Sequence, residues 1–346
     1  MNIIPIPPFT PPHSWPVITT IDMHTGGEPL RVITTGLPDI KGKTILEKRR
    51  YFRDHYDHLR TGLMWEPRGH ADMYGAILTE PTTEDADFGV FFIHNEGYST
   101  MCGHAIIALT KLVLDTGMIG KEGTEPELII NAPPGRIFSK GYREDGIVKK
   151  TSFRNVPSFL LLRDERVDVN GIGKVRFDVA FGGAFYAFVR AADLGVELVP
   201  GEFNRLIDYG RRIKLAVMDK FPITHPFEED LSFLYGTIIT GPPEDPGHYS
   251  RNVCIFADGE VDRSATGSGV SARAALHFEK DGLMPGEVIT IESILGTTMD
   301  VCIKEVTTFG PHRAVIPEVS GTAWITGSHT FCFDPEDPLG KGFIFR

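Results

Sequence analysis

The sequence lacks the features that would assign it to several large classes of proteins. No apolar run in its 346 residues approaches the ~20 residues of a transmembrane helix. The Pro-rich start, residues 1–16, has neither the charged beginning nor the apolar core of a secretion signal, and we interpret it as an extension on the surface. A net charge of −11 offers no positive surface to nucleic acid or to an anionic membrane. We therefore expect a cytoplasmic protein that binds neither nucleic acid nor membranes.

Cysteine is scarce, and no C-x-x-C pair occurs. The four cysteines are Cys102, Cys254, Cys302 and Cys332. Such usage is typical of a reducing compartment rather than of a disulfide scaffold. The histidines and carboxylates around His70 and Asp72 show no zinc-site spacing, and the glycine pairs at 26–27 and 182–183 lack the pattern of a nucleotide-binding loop. We therefore predict no metal and no organic cofactor. The absence of G-x-S-x-G also argues against a hydrolase elbow.

The chain contains an internal repeat. Tyr74–Pro81, Y-G-A-I-L-T-E-P, returns as Tyr235–Pro242, Y-G-T-I-I-T-G-P, with five of eight positions identical. Two other similar pairs of segments follow the same order, each about 160 residues apart. These pairs are 22–27 with 178–183, and 102–112 with 266–276. An ordered set of this kind predicts a duplicated α/β unit.

Local patterns predict the same succession of elements in each copy. Residues 88–95 and 252–257 are rich in β-forming residues and end in turns. Helical periodicity predicts two central helices and one charged outer helix, at about 103–116, 268–280 and 43–60. Short strand-like runs fill the intervals, as at 126–131, 174–180, 287–292 and 313–317. The predicted fold class is therefore α/β (α+β), with two pseudo-symmetric halves, each a β-barrel-like sheet wrapped around a central helix.

The repeat also predicts where the halves begin and end. Residues 17–160 form the first half, completed by the C-terminal residues 336–346, and residues 161–335 form the second half. The active site is expected in the cleft between them.

Both halves place a polar residue, Cys102 or Thr266, just before a glycine that begins a helix. A helix N-terminus offers unpaired N–H groups and a partial positive charge. Two such termini facing each other across the cleft could hold a carboxylate between them. The alternative is that Gly103 and Gly267 only permit close packing or a tight turn.

This arrangement suits removal of the weakly acidic α-hydrogen of an amino acid. Such a reaction needs a base and stabilisation of the negative charge that moves onto the carboxylate. Cys102 is the candidate base, because a helix N-terminus lowers the pKa of a thiol. Thr266, whose hydroxyl cannot replace a thiol, is also a candidate N-cap. Asp262 is a candidate to bind the ammonium group, with a loop or capping hydrogen bond as an equal alternative. The other three cysteines are interpreted as small buried apolar side chains.

Five segments of the sequence carry a resemblance to a known family. They are Asp22–Pro29 (D-M-H-T-G-G-E-P), Pro67–Met73 (P-R-G-H-A-D-M), Asn95–Tyr98 (N-E-G-Y), Met101–His104 (M-C-G-H) and Asp262–Gly267 (D-R-S-A-T-G). Through them nearly the whole chain resembles the proline racemase family. The resemblance implies a cofactor-free, diaminopimelate epimerase-like fold. It also implies that backbone groups of Gly103, His104, Gly267 and Ser268 bind the substrate carboxylate, and that Asp262 binds the ring nitrogen.

One position departs from the racemases of that family. They carry a second cysteine where this chain has Thr266, and the branch with threonine looks like the trans-3-hydroxy-L-proline dehydratases. In that substrate the α-hydrogen and the hydroxyl lie on the same face of the ring. Cys102 could therefore remove the proton while water leaves, with pyrroline-2-carboxylate as the product. The acid that assists the leaving hydroxyl is the returning Cys102 thiol, His104 or a bound water.

Two other functions stay open at this point. One is a hydroxyproline epimerase or proline racemase in which another group replaces the missing acid. The other is a non-catalytic protein that binds an amino acid in the same cleft. For the dehydratase and for both alternatives the expected partner is a small molecule, hydroxyproline. A homodimer is compatible with all three functions.

Overall fold

The computed structural model describes residues 6–345 of the chain, and within them the polypeptide forms five α-helices and eighteen β-strands. The helices are α1 (Ile45–Met64), α2 (Gly103–Asp115), α3 (Ala191–Leu194), α4 (Phe203–Lys220) and α5 (Gly267–Lys280). The first nine strands are β1 (Val17–Thr25), β2 (Glu28–Thr35), β3 (Tyr74–Thr79), β4 (Phe88–His94), β5 (Tyr98–Ser99), β6 (Glu127–Ala132), β7 (Gly135–Glu144), β8 (Ile147–Arg154) and β9 (Ser158–Val169). The remaining strands are β10 (Gly173–Phe181), β11 (Phe185–Arg190), β12 (Leu234–Gly241), β13 (Ser250–Phe256), β14 (Glu260–Asp262), β15 (Val288–Glu292), β16 (Thr298–Phe309), β17 (His312–Gly321) and β18 (Ala323–Cys332).

The later strands close into a barrel. Pairing runs through β9, β10, β11, β12, β13, β15, β16 and β17 and returns to β9, where Phe159 faces Ala314. Helix α5 lies inside this ring, packed against β9, β10, β16 and β17. Its first ten residues, G-S-G-V-S-A-R-A-A-L, are mostly small, so the helix fits within the closed sheet. Every residue from Gly267 to His277 is buried.

The earlier strands curl in the same way around α2. Pairing runs through β18, β1, β2, β3, β4, β6, β7 and β8, and β8 then pairs with β17 of the other barrel. Helix α2 packs against β1, β7 and β8. From Gly103 to Leu114 all its residues except Lys111 are buried, as expected for a helix that a sheet surrounds.

The two barrels use the same succession of pairings. Strands β2 and β3 pair in parallel, as do β11 and β12, and the parallel pair β4–β6 corresponds to β13–β15. The repeated Y-G segments lie on β3 and β12. The predicted mixed α/β class is confirmed, whereas the duplication and the boundaries of the halves stay predictions. Within the predicted second half, β18 pairs along its length with β1 of the first half.

The three predicted helices correspond to α1, α2 and α5. The expectation that each half has one long helix, apart from the charged outer helix, is wrong, because α4 is a further long helix. Helix α4 lies outside the second barrel, against β9, β12 and β13. Its buried residues, Leu206, Gly210, Ile213 and Val217, recur at helical spacing. The signal was therefore present, although charged residues dominate the other faces of the helix.

The two ends of the described chain are the segments before β1 and after β18, two strands that pair with each other. The predicted N-terminal extension, of which residues 1–5 lie outside the described part, is mostly exposed from residue 6 to residue 16. Near the C-terminus, the Phe343 N–H donates to the Glu66 carbonyl at 2.9 Å. No helix formed by residues 6–345 is long and apolar enough to cross a membrane.

Candidate active site

The N-termini of α2 and α5 meet at two glycines. A Cβ atom on Gly103 would lie 2.6 Å from the Cα of Gly267, which is closer than real side chains approach. Close packing, one of the two interpretations of these glycines, is therefore observed, and it brings the two sets of helix N–H groups to one point. Binding of a carboxylate there stays a prediction. The first N–H groups of a helix have no partner within it. A small anion placed there would face two positive helix ends.

Cys102 is the N-cap residue of α2. Its Sγ accepts a hydrogen bond from the Ala105 N–H at 3.4 Å and lies 3.1 Å from Nδ1 of His104. The side chain is buried, at 4% exposure. The thiol therefore lies at a helix N-terminus, as predicted, with an imidazole as its neighbour.

The expected low pKa of Cys102 is not found. Burial raises the pKa of this thiol well above its ordinary value, and the negative charges of Asp262 and Glu28 raise it further, whereas the Ala105 N–H opposes the rise. Loss of water around the thiolate thus outweighs the favourable helix terminus. In this buried setting Cys102 is a neutral thiol at neutral pH.

His104 is a neutral imidazole beside that thiol. Burial lowers the pKa of the buried His104 imidazole, although the charge of Asp262 and a hydrogen bond to the Pro29 carbonyl oppose this. A neutral imidazole has one N–H and one nitrogen lone pair. With the N–H donated to Pro29, the other nitrogen can accept a hydrogen bond from the Cys102 thiol, but the raised pKa of the thiol and the lowered pKa of the imidazole keep the proton on sulfur.

Thr266 precedes α5 in a strained conformation. Its φ of 66° and ψ of 89° lie in the left-handed region, which a β-branched residue rarely adopts. Thr266 occupies the N-cap position as predicted, but its side chain makes no capping hydrogen bond, so it does not act as a cap. The buried Oγ1 has no hydrogen-bond partner among residues 6–345. Strain and an unpaired hydroxyl at one residue point to a functional position.

Acidic side chains lie at the same place. Asp262 is buried, and its Oδ1 accepts a hydrogen bond from the Ser264 N–H at 2.8 Å. The loop hydrogen bond predicted as one alternative for Asp262 is therefore present. Glu28 is fully buried, with Oε2 accepting the Arg263 N–H at 2.7 Å and Oε1 unpaired among the described residues. Burial raises the pKa of Glu28 well above its ordinary value, and the charge of Asp262 adds to the rise. A cationic ligand group would offset this accumulation of negative charge.

All seven predicted site residues line one small cavity. They are Cys102, Gly103, His104, Asp262, Thr266, Gly267 and Ser268. The cavity has a volume of about 20 Å³, enough for a water molecule but not for an amino acid, so the pocket must open to admit a ligand. Among residues 6–345, no group of three or more His, Cys, Asp or Glu side chains is placed to hold a metal ion.

Six further residues line this cavity that the sequence did not point to as site residues. They are Met101 of the M-C-G-H segment, Tyr74, Tyr186, Tyr235, Cys254 and Phe256. Tyr74 and Tyr235 begin the two repeated segments, and their equivalent positions in the repeat could have indicated that both line the site. Tyr186 holds Ser268 through a hydroxyl–hydroxyl hydrogen bond of 2.7 Å. The aromatic rings of Tyr235 and Phe256 stack with centroids 5.3 Å apart. Aromatic walls of this kind suit a ring-shaped ligand.

The fold and the site together define a class, an α/β protein of two joined barrels whose polar pocket lies where the two central helices begin. Within that class the chain belongs to the proline racemase family, whose family model, described as proline racemase, matches residues 20–344.

Relatives and solved structures cover nearly the entire chain. A trans-3-hydroxy-L-proline dehydratase of Colwellia psychrerythraea is 51% identical over 333 residues, covering 96% of this chain and 94% of that protein. The trans-3-hydroxy-L-proline dehydratase of Homo sapiens is 45% identical over 347 residues, covering 98% of each. The crystal structure of a hydroxyproline epimerase from Agrobacterium vitis, with bound trans-4-hydroxy-L-proline, has a TM-score of 0.90 at 28% identity and covers 96% of each chain.

Proposed function

We propose that this chain is a trans-3-hydroxy-L-proline dehydratase, a hydro-lyase that releases water and pyrroline-2-carboxylate. The observation that carries the proposal is the unequal pair of residues before the two helices, a thiol at Cys102 and an unpaired hydroxyl at Thr266. Inversion of an α-carbon needs a base on one face and an acid on the other, and a threonine hydroxyl has an ordinary pKa too high for either. The dehydratase names of the relatives support the same conclusion.

We assign substrate binding to backbone and side-chain groups that line the pocket. The carboxylate is held by N–H groups of Gly103, His104, Gly267 and Ser268, at the meeting point of the helices. The ring ammonium is held by Asp262. This ammonium offsets part of the negative charge that raises the pKa of Cys102, so binding of the substrate favours the thiolate.

The reaction then proceeds on one face of the ring. The Cys102 thiolate that the bound ammonium favours, with His104 beside it, removes the α-hydrogen of the substrate. The electron pair of that C–H bond forms the double bond between C2 and C3, while the C3–O bond breaks. The departing hydroxide takes a proton from the Cys102 thiol or from His104, and it leaves as water. The enamine product tautomerises to the cyclic imine without help from the protein.

The test is an assay of three substrates in D₂O. We expect trans-3-hydroxy-L-proline to yield a ketimine that an aromatic amine traps, and L-proline and trans-4-hydroxy-L-proline to remain unchanged. An epimerase, as in the Agrobacterium vitis structure, would instead give an inverted isomer carrying deuterium at the α-carbon. Binding of all three without turnover would show an amino-acid-binding protein.

We also propose that the protein works in the cytoplasm, which the free state of its four cysteines supports, since residues 6–345 contain no disulfide. The homodimer stays a prediction.

A further inference from the structure

Cys254 shares the cavity of Cys102 and Thr266. It lies on β13, directly opposite Asp262 of β14 in the antiparallel register. Residues opposed in this way direct their side chains to the same face, with Cβ atoms about 4.5–5.5 Å apart. The Cys254 side chain is fully buried, at 0% exposure, so its volume belongs to the wall of the pocket.

The thiol of Cys254 also lies beside the side chain of Thr266. Burial raises the pKa of Cys254 well above its ordinary value, the charge of Asp262 adds to this, and the neighbouring Thr266 hydroxyl opposes it. Within residues 6–345, no contact of Thr266 Oγ1 has the geometry of a hydrogen bond. Cys254 is thus a neutral thiol that fills space next to the hydroxyl.

We propose that Cys254 is a specificity-determining residue, whose thiol limits the room on the Thr266 side of the pocket and so selects the five-membered ring. This inference rests on the proposed dehydratase function. The physical basis is the tight packing of the site, with a cavity of only about 20 Å³ left among its walls. In such a pocket one methylene more or less changes kcat/KM by roughly 10- to 200-fold.

The experiment compares two substrates that differ by one ring methylene, trans-3-hydroxy-L-proline and trans-3-hydroxy-L-pipecolate. In Cys254→Ala the ratio of kcat/KM for the six-membered over the five-membered ring should rise by at least about tenfold. Cys254→Ser, of nearly the same size, should keep the ratio of the unchanged protein. Cys302→Ala is the matched control, because Cys302 lies on β16 and does not line this cavity. An unchanged ratio in a folded Cys254→Ala variant overturns the proposal.

A second measurement on the unchanged protein covers the case in which Cys254→Ala does not fold. Methyl methanethiolsulfonate is applied at pH 9 with and without planar pyrrole-2-carboxylate, and each cysteine is followed by mass spectrometry. The ligand should protect Cys102 and Cys254 but not Cys302 or Cys332. If Cys102 is protected while Cys254 reacts equally with and without the ligand, the pocket role is wrong. Failure of the proposed dehydratase function gives a different result from failure of the Cys254 proposal, because the unchanged protein would then not dehydrate trans-3-hydroxy-L-proline.

Discussion

A Cβ atom on Gly267 would lie 2.8 Å from the Cα of Gly103 and 3.4 Å from the amide nitrogen of His104. The two helices therefore approach as closely as their backbones allow. A methyl group at this point would push apart the N–H groups assigned to the substrate carboxylate. Glycine is required here for the approach of two helices and not for an unusual backbone conformation.

We accordingly expect Gly267→Ala to lose nearly all turnover and to be less stable by about 1–3 kcal/mol, the usual effect of overpacking a filled interior. Gly120→Ala is the control, because nothing lies within 4 Å of its added Cβ. Thermal denaturation reports the stability and the ketimine assay the turnover. Normal activity in Gly267→Ala would show that the meeting of the helices is not the binding site.

Cys102→Ala removes the proposed base. We expect dehydration to fall by ~10²–10⁴ or more, since this is the typical contribution of a general base, with binding of pyrrole-2-carboxylate retained. Cys332→Ala, at a cysteine on β18 that does not line the cavity, should keep full activity. Substantial turnover by a folded Cys102→Ala protein, measured by trapping of the ketimine, would contradict the mechanism.

The raised pKa of Cys102 predicts a specific pH dependence. The thiolate is the reactive form, so kcat/KM should increase with pH above neutrality, by about tenfold per unit on the rising limb. The negative charge of Asp262 helps to raise this pKa. Asp262→Asn should therefore move the rising limb to lower pH, even though loss of the ammonium contact raises KM. Asp85→Asn, at an exposed carboxylate paired with Arg136, should leave the limb in place. A profile already flat at pH 6 would argue against a neutral thiol in the free enzyme.

Thr266→Cys tests the equivalence of the two helix N-termini. The new thiol would stand before α5 as Cys102 stands before α2, with the carboxylate site unchanged. We expect a measurable gain of α-carbon inversion with L-proline or trans-4-hydroxy-L-proline, and dehydration should persist because Cys102 is still present. The gain can be small, since a displacement of ~1 Å costs roughly a hundredfold. Loss of the α-proton in D₂O, followed by NMR, measures it. Thr266→Ser is the control, and it should show no exchange.

Local features of the chain were predictable because their causes are local. Helices α2 and α5 begin within a residue of the predicted positions, since glycine stops and apolar periodicity depend on neighbouring residues. The placement of Cys102 and Thr266 just before these helices follows from the same signals. Helix α4 also carried its own periodic signal.

The state of Cys102 could not be obtained in this way. Its position at a helix N-terminus indicated a low pKa, but the buried carboxylates of Asp262 and Glu28 and the loss of solvent reverse the direction. These groups are far from Cys102 in sequence. Desolvation depends on the whole packed surroundings of a group, which no local pattern contains.

By itself, then, the sequence determined which residues we propose to carry the chemistry, because a thiol before one helix and a hydroxyl before the other are facts of residue type and local order. Only the tertiary structure decided which side chains form the walls of the pocket. Cys254 has the apolar neighbours of an ordinary buried residue, and its strand is indistinguishable from other strands of the barrel. It enters the site because antiparallel pairing sets it opposite Asp262. It also lies beside Thr266, which precedes α5 in a strained conformation and whose Oγ1 has no hydrogen-bond partner among residues 6–345. Strand register and helix packing bring together residues that are distant along the chain. The burial and the pKa values of the site residues depend on those contacts.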